Sequence, residues 1–126
     1  MNPFAKNLDD LLVYQNAFVA ATEVFQISKT FPREERYSMV DQLRRSSRSV
    51  CANLAEAWRK RRYKAAFIAK LSDAESEASE TLTWIEFALR FEYIDCIRAA
   101  KLRSAFNQIL SQLVKIIESP DNWLIR

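Results

Sequence analysis

The chain has 126 residues, of which 49% are hydrophobic and 28% are charged, a composition typical of one globular domain with a substantial core. It contains no Gly, no His and only three Pro, and its formal net charge is +3. Without Gly, tight β-hairpins and phosphate-cradling loops are hard to build, and without His the commonest acid–base side chain and metal ligand are missing. We therefore expect long helices, no enzymatic activity, no catalytic residues, no cofactor and no metal site.

Apolar residues spaced three and four positions apart predict four amphipathic helices, over about residues 9–30, 38–61, 64–91 and 95–118. Phe31 and Pro32 end the first helix, because the residue before a Pro avoids the helical conformation. Ser38 begins the second helix in a capping-box pattern. Asp95 is placed to cap the fourth helix, which Pro120 ends.

Long helices with short connections favour antiparallel neighbours. The predicted fold is therefore all-α, an antiparallel up-down-up-down four-helix bundle that forms one domain over residues 1–126 with a short C-terminal tail. Cys51 and Cys96 show no paired spacing and are interpreted as reduced thiols. No hydrophobic signal segment and no apolar run long enough to cross a bilayer is present, so we expect a cytoplasmic protein with no membrane partner.

Positive charge is concentrated in the second helix and the turn that follows it. The segment 44–64 has one acidic residue, Glu56, and many bases: Arg44, Arg45, Arg48, Arg59, Lys60, Arg61, Arg62 and Lys64. The third helix is acidic. One interpretation is a surface that binds the phosphates of RNA or DNA. The other is that the bases meet the acidic third helix, within the chain or on a neighbouring subunit, or are simply solvated.

A second stripe on the same helix consists of polar residues at spacings of four, three, four and three: Gln42, Ser46, Ser49, Asn53 and Glu56. Such a row beside an apolar seam can set the register of packed helices by hydrogen bonding. We interpret it as a buried or half-buried polar layer, inside the bundle or between subunits. A ligand site and an ordinary solvated surface remain as alternatives.

Other candidate chemistry is weak. Asp73, Glu77 and Glu80 share a helical face that could hold a cation, but metal sites in bundles normally add His, so solvated acids are expected. The serines of the second helix have no histidine base. Trp58 and Trp84 lie on or beside apolar stripes, which favours packing over base stacking.

Several short stretches, in this order and spacing, carry a resemblance that covers nearly the whole chain: Leu12-Val13-Tyr14-Gln15, Phe31-Pro32-Arg33-Glu34-Glu35-Arg36-Tyr37, Gln42-Leu43-Arg44-Arg45, Asn53-Leu54-Ala55-Glu56 and Tyr93-Ile94. Together they resemble the bacterial four-helix family known as 23S rRNA intervening-sequence proteins. The family usually has Gly where this chain has Ala57, and commonly where it has Glu92. Neither change conflicts with the fold.

The resemblance implies a bundle that assembles as a ring, commonly a homopentamer, and it brings no established catalytic activity. A related group acts as accessory proteins of diversity-generating retroelements, with a basic surface that contacts nucleic acid and a reverse transcriptase. We therefore predict a non-catalytic homo-oligomer that binds RNA, DNA or a nucleoprotein partner through the second helix. The alternative is a scaffold for protein–protein interaction that does not bind nucleic acid.

Overall fold

The computed structural model describes residues 5–125, which form four long helices and three short 3-10 turns. The helices are α1 (Leu12–Ser28), α2 (Met39–Arg59), α3 (Lys64–Arg90) and α4 (Cys96–Glu118), and the 3-10 turns are Leu8–Asp10, Arg33–Glu35 and Pro120–Trp123. Residues 5–125 contain no β-strand. The predicted all-α fold is therefore confirmed. None of these helices is long and apolar enough to span a membrane.

The four helices pack in chain order, each against the next, and α4 returns to contact α1. Their directions follow from polar contacts between them. Ser46 of α2 faces Thr81 of α3, and Glu56, further along α2, faces Lys70, further back on α3. At the other seam, Asn16 near the start of α1 donates a hydrogen bond to Gln112 near the end of α4. The α2–α3 and α1–α4 pairs are thus antiparallel, as the predicted up-down-up-down arrangement requires.

The core contains both small and large apolar residues. Ala74 and Ala78 of α3 are completely buried, on the same face as Thr81, which contacts α2. The most extensive contact between two helices is between α2 and α3. Larger side chains, among them Leu54 and Phe106, fill the remaining space at full burial. No buried side-chain nitrogen or oxygen of residues 5–125 lacks a hydrogen-bond partner.

One helix start and one helix cap differ from the sequence prediction. The first helix begins at Leu12 rather than Asp9, because residues 8–10 form a 3-10 turn in which Asp10 accepts a hydrogen bond from the backbone N–H of Asn7 at 3.1 Å. The Ser38 side chain makes no capping hydrogen bond. Instead Glu35 Oε1 lies 3.4 Å from the backbone nitrogen of Met39. Asp95 does cap α4, accepting from the backbone N–H of Arg98 at 2.8 Å, as predicted.

One end of the bundle holds the connections α1–α2 and α3–α4, which are joined by a side-chain contact. The Tyr93 hydroxyl donates to Glu35 Oε2 at 2.7 Å, and the Tyr93 and Phe31 rings lie 5.5 Å apart. This hydrogen bond raises the pKa of Tyr93 to about 12. The α3–α4 turn closes with hydrogen bonds from Tyr93 N–H to the Ala88 carbonyl and from Glu92 N–H to the Leu89 carbonyl. Glu92 therefore adopts a left-handed conformation with φ of 64°, at the position where Gly is most favourable.

The opposite end holds the α2–α3 turn, the segment before α1 and the C-terminal tail. Trp123 of the tail is buried, and the backbone N–H of Ile125 donates to the carbonyl of Arg61 at 3.0 Å. Lys64 at the start of α3 lies 3.1 Å from Asp121 of the tail. These contacts hold the α2–α3 turn, with its run of bases, in a defined position.

Candidate nucleic-acid interface

The basic residues of α2 lie along one side of the molecule. With 3.6 residues per turn, Arg45, Arg48 and Arg59 point within about 60° of each other around the α2 axis, and all three are exposed. Lys60 and Arg62, in the turn after α2, are also exposed, whereas Arg44 and Arg61 are half-buried. We call the following residues the basic face: Arg44, Arg45, Arg48, Arg59, Lys60, Arg61 and Arg62.

The first half of the basic face borders a groove of about 540 Å³, whose lining includes Arg36, Arg44, Arg45 and Arg48. Arg44 is held by two side chains of α1. Its Nε donates to Ser28 Oγ at 2.8 Å, and its guanidinium carbon lies 4.6 Å from the centroid of the Phe25 ring. The Arg48 guanidinium carbon lies 5.9 Å from the same ring. An arginine held in this way loses less conformational freedom when it binds an anion.

The second half of the basic face borders a larger cleft of about 780 Å³ between the end of α2 and the segment before α1. Four cationic side chains line it: Lys6, Arg59, Lys60 and Arg61. The Arg61 guanidinium carbon lies 3.5 Å from the centroid of the Trp58 ring, and its Nε donates to the Trp58 carbonyl at 2.7 Å. Tyr63 also lines the cleft.

A further property of the basic face is its lack of ion pairs within the part of the chain that the structure describes. Within residues 5–125, none of them forms a salt bridge with a carboxylate. Lys64 differs from the other bases of this segment, because it pairs with Asp121. Arg45 is near enough to Glu77 to lower its pKa electrostatically, but burial of Glu77 and the charge of Glu80 outweigh this and leave that pKa raised.

Glu56, the one acid within the segment 44–64, is itself neutralised from α3. Lys70 Nζ lies 2.7 Å from Glu56 Oε2 and 3.7 Å from Asp73. The hydrogen bond to Lys70 lowers the pKa of Glu56, and the same hydrogen bond raises the pKa of Lys70. The positive potential of the basic face is therefore not interrupted by an unpaired carboxylate at this point.

The polar stripe of α2 divides into parts with different surroundings. Ser46 is buried; its Oγ lies 2.8 Å from the Thr81 hydroxyl and 3.2 Å from the Leu43 carbonyl, to which it donates. Gln42, Ser49 and Asn53 are half-buried, and the Asn53 amide donates to the carbonyl of Ser49. The fifth member, Glu56, is exposed and paired with Lys70. The structure thus places only Ser46 in a buried polar contact inside the bundle.

The remaining candidates of the sequence are the carboxylates of α3 and the tryptophans. Within residues 5–125, no three acidic or cysteine side chains come together as a metal site. Glu80, for instance, lies 3.2 Å from the Trp84 indole nitrogen, which donates to it. Trp58 and Trp123 are buried, whereas Trp84 is half-buried.

Sequence reasoning missed two features of this surface. The first is the support of Arg44 by Ser28 and Phe25, for which the sequence offers no signal, because the contact depends on how α1 and α2 are aligned. The second is Tyr63, which is 68% exposed. A signal for Tyr63 was present: it is an aromatic residue between Arg62 and Lys64, inside the basic run.

The fold and this surface define a small antiparallel four-helix protein with a cationic second helix. The sequence profile of the family described as 23S rRNA-intervening sequence protein matches residues 9–115. The chain therefore belongs to this family, which confirms the resemblance found in the sequence.

A solved structure agrees with the family assignment. The crystal structure, at 1.70 Å resolution, of a protein of unknown function from the S23 ribosomal protein family of Bacteroides thetaiotaomicron VPI-5482 is similar to this chain, with a TM-score of 0.78 and 30% sequence identity. The alignment covers 86% of this chain and 100% of that one. No curated protein matches the sequence significantly.

Proposed function

We propose that this protein is a non-catalytic nucleic-acid-binding module that acts as a homo-oligomer and binds RNA or DNA through its basic face. One observation carries the proposal: the chain holds Arg44 and Arg61 in place with its own side chains, yet pairs no arginine of the basic face with a carboxylate of residues 5–125. Closely spaced like charges repel each other. A surface that positions them without neutralising them is suited to an external polyanion.

The geometry of the basic face fits a phosphate backbone. Arg44 and Arg59 are separated along α2 by about 22 Å at 1.5 Å per residue. That length corresponds to about six phosphates along one strand of B-form DNA. Arginine suits such contacts because its planar guanidinium donates two parallel hydrogen bonds to one phosphate. Affinity from these contacts would fall as salt is added, since binding releases counterions.

Self-association is supported by apolar side chains that remain exposed on α1. Leu12, Phe18 and Val19 all have exposed side chains, Phe18 and Val19 at 57% and 59%. Burying such residues between copies would stabilise an oligomer, and the family resemblance implies a ring, commonly of five subunits. Each added subunit would add its own positive field to the assembly. Light scattering of the purified protein gives the subunit number directly.

The decisive experiment reverses charge on the basic face and compares it with an equal reversal elsewhere. Arg45→Glu with Arg59→Glu changes two exposed bases that have no ion pair among residues 5–125. The matched control is Lys101→Glu with Lys115→Glu on α4, which lies diagonally across the bundle from α2. Both variants change the net charge equally. Binding of mixed-sequence RNA and DNA, single-stranded and duplex, is measured by fluorescence anisotropy over a range of salt.

The basic-face variant should bind more weakly, and the slope of log affinity against log salt should fall by about two, one for each phosphate that is no longer neutralised. The control variant should retain the original slope. Equal losses of affinity in the two variants would mean that net charge alone attracts the probe. Absence of any binding by the unmodified protein at low salt would end the proposal.

A second candidate function, a protein–protein scaffold, is supported by an aromatic row on α3. The rings of Trp84 and Phe87 lie 5.8 Å apart, and those of Phe87 and Phe91 lie 5.6 Å apart. Phe87 and Phe91 are exposed, and Glu86 beside them is already paired with Arg90 and Arg103. This surface would suit a partner with apolar side chains. Purification with a stoichiometric protein, abolished by Phe91→Ser but not by Arg45→Glu with Arg59→Glu, would favour this candidate.

A further inference from the structure

An exposed aromatic ring stands in the cleft at the second half of the basic face. Tyr63 is 68% exposed and lines the cleft of about 780 Å³ together with Lys6, Arg59 and Lys60. Its backbone is well held: its N–H donates to the Lys60 carbonyl at 3.0 Å, and its carbonyl accepts from Phe67 at 2.9 Å. The ring is thus presented to solvent from an ordered turn, among cations.

Trp58, the other aromatic residue that lines the cleft, is not presented in the same way. Its side chain is 9% exposed, and the guanidinium of Arg61 covers its ring at 3.5 Å. The charges of the cleft also argue against a two-fold symmetric contact in which this surface of one copy meets the same surface of a second copy. Two copies that met through this surface would bring their cations together, while Glu56, the acid that lines the cleft, is already paired with Lys70.

We infer that the ligand of the basic face is a single-stranded nucleic acid, with one base stacked on the Tyr63 ring and the adjoining phosphates on Lys6, Arg59 and Lys60. This inference rests on the proposed function and adds the class of ligand. In a duplex the bases are already paired and stacked, so a protein ring gains no base face. In a single strand a base can turn onto an aromatic side chain, and cations beside the ring can hold the backbone. The cleft volume lies within the range of about 300–1,000 Å³ typical of small-ligand sites.

The test is a double-mutant cycle between the ring and the base. One axis is Tyr63→Ala, and the other replaces a single-stranded oligonucleotide by an abasic strand with the same number of phosphates. Tyr63→Ala should weaken binding of the base-containing strand by between about fivefold and a hundredfold, the range found for stacking of one base. It should leave binding of the abasic strand and of a duplex unchanged. Tyr63→Phe, which keeps the ring, should bind like the unmodified protein.

The other outcomes of the cycle distinguish stacking of a base on the Tyr63 ring from other roles of Tyr63. Equal losses of affinity on the base-containing and abasic strands would show that Tyr63 supports the cleft without stacking, and the inference would fail. Duplex binding as tight as single-strand binding, with no effect of Tyr63→Ala, would also overturn it while leaving the proposed function intact. A changed subunit number in Tyr63→Ala would overturn it too, by assigning the ring to an interface between copies. If the unmodified protein binds no probe at all, the proposed function itself fails.

Discussion

The two ends of the bundle place their tyrosines in different surroundings. At one end, Tyr93 donates its hydroxyl to Glu35 and packs its ring against Phe31, so that two connections hold each other. At the other end, Tyr63 lies exposed in a cleft lined by cations. The first end uses polar and aromatic groups to stabilise the fold. The second leaves the same kinds of groups facing outward, which is the arrangement expected of a binding surface.

The same contrast runs along α2, between its flank toward α3 and its outer side. Toward α3, polar groups are satisfied within the chain: Ser46 by Thr81, and Glu56 by Lys70. On the outer side, Arg45 and Arg59 have no carboxylate partner among residues 5–125. Changes on the inner flank should therefore affect stability, and changes on the outer side should affect binding.

The largest expected effect is on the inner flank, at Thr81→Val. This change removes the donor to the buried Ser46 oxygen, whose own hydroxyl still donates to the Leu43 carbonyl, and it should lower the free energy of unfolding by about 1.5 kcal/mol. Ser46→Ala should cost only about 1 kcal/mol, because the Thr81 hydroxyl can still donate to the Glu77 carbonyl at 2.9 Å. Urea denaturation followed by circular dichroism measures both values.

Thr83→Val is the matched control, since Thr83 lies on the same helix and also donates to a backbone carbonyl but is exposed. It should change stability by no more than about 0.5 kcal/mol. A cost for Thr81→Val as small as that of Thr83→Val would show that the hydrogen bond between Thr81 and Ser46 does not stabilise the α2–α3 seam.

The α2–α3 seam shows which features can be predicted from local sequence signals and which cannot. The helices were predictable because apolar residues at 3.6-residue spacing are local signals, as was the Asp95 cap. The polar stripe of α2 could also be recognised in the sequence. Which of its members are buried or paired could not be predicted, because burial of Ser46 and pairing of Glu56 depend on the register of α3 against α2. In the same way, the bases of the basic face could be identified from the sequence, whereas the support of Arg44 by Ser28 could not. Contacts between helices can be identified only when the fold is known.

The next effect concerns the support of Arg44. Ser28 is buried; its hydroxyl donates to the Phe25 carbonyl at 3.0 Å and accepts from Arg44 Nε. Ser28→Ala should weaken nucleic-acid binding by about fivefold, equivalent to about 1 kcal/mol, because Arg44 is no longer held in position. Thr30→Ala is the control: its hydroxyl also bonds a backbone carbonyl three residues earlier, at 2.7 Å. Equal affinity of the two variants would show that Ser28 does not position Arg44 for binding.

A smaller effect is expected at Glu92, which has a φ of 64° and lies at the end of the bundle where Tyr93 bonds to Glu35. Glu92→Gly should raise the free energy of unfolding by about 0.5 kcal/mol, because relief of about 1–2 kcal/mol of left-handed strain is partly offset by the greater freedom of Gly in the unfolded chain. Glu92→Ala keeps the Cβ atom and should bring no such gain. Thermal unfolding of both variants separates a conformational effect from the loss of a negative charge.

The smallest effect is confined to alkaline solution and concerns Tyr93. Its hydrogen bond to Glu35 raises its pKa to about 12 from the ordinary value of 10.0. The folded protein therefore holds this proton more tightly than the unfolded chain does. The resulting stabilisation is fully present below pH 10 and is lost as the pH rises toward 12. Tyrosinate absorbance, followed in the near ultraviolet, should show a late step near pH 12 that is absent in Tyr93→Phe. Stability between pH 10 and 12 should fall less steeply in that variant, and identical curves would show that Tyr93 and Glu35 do not hold the two connections together.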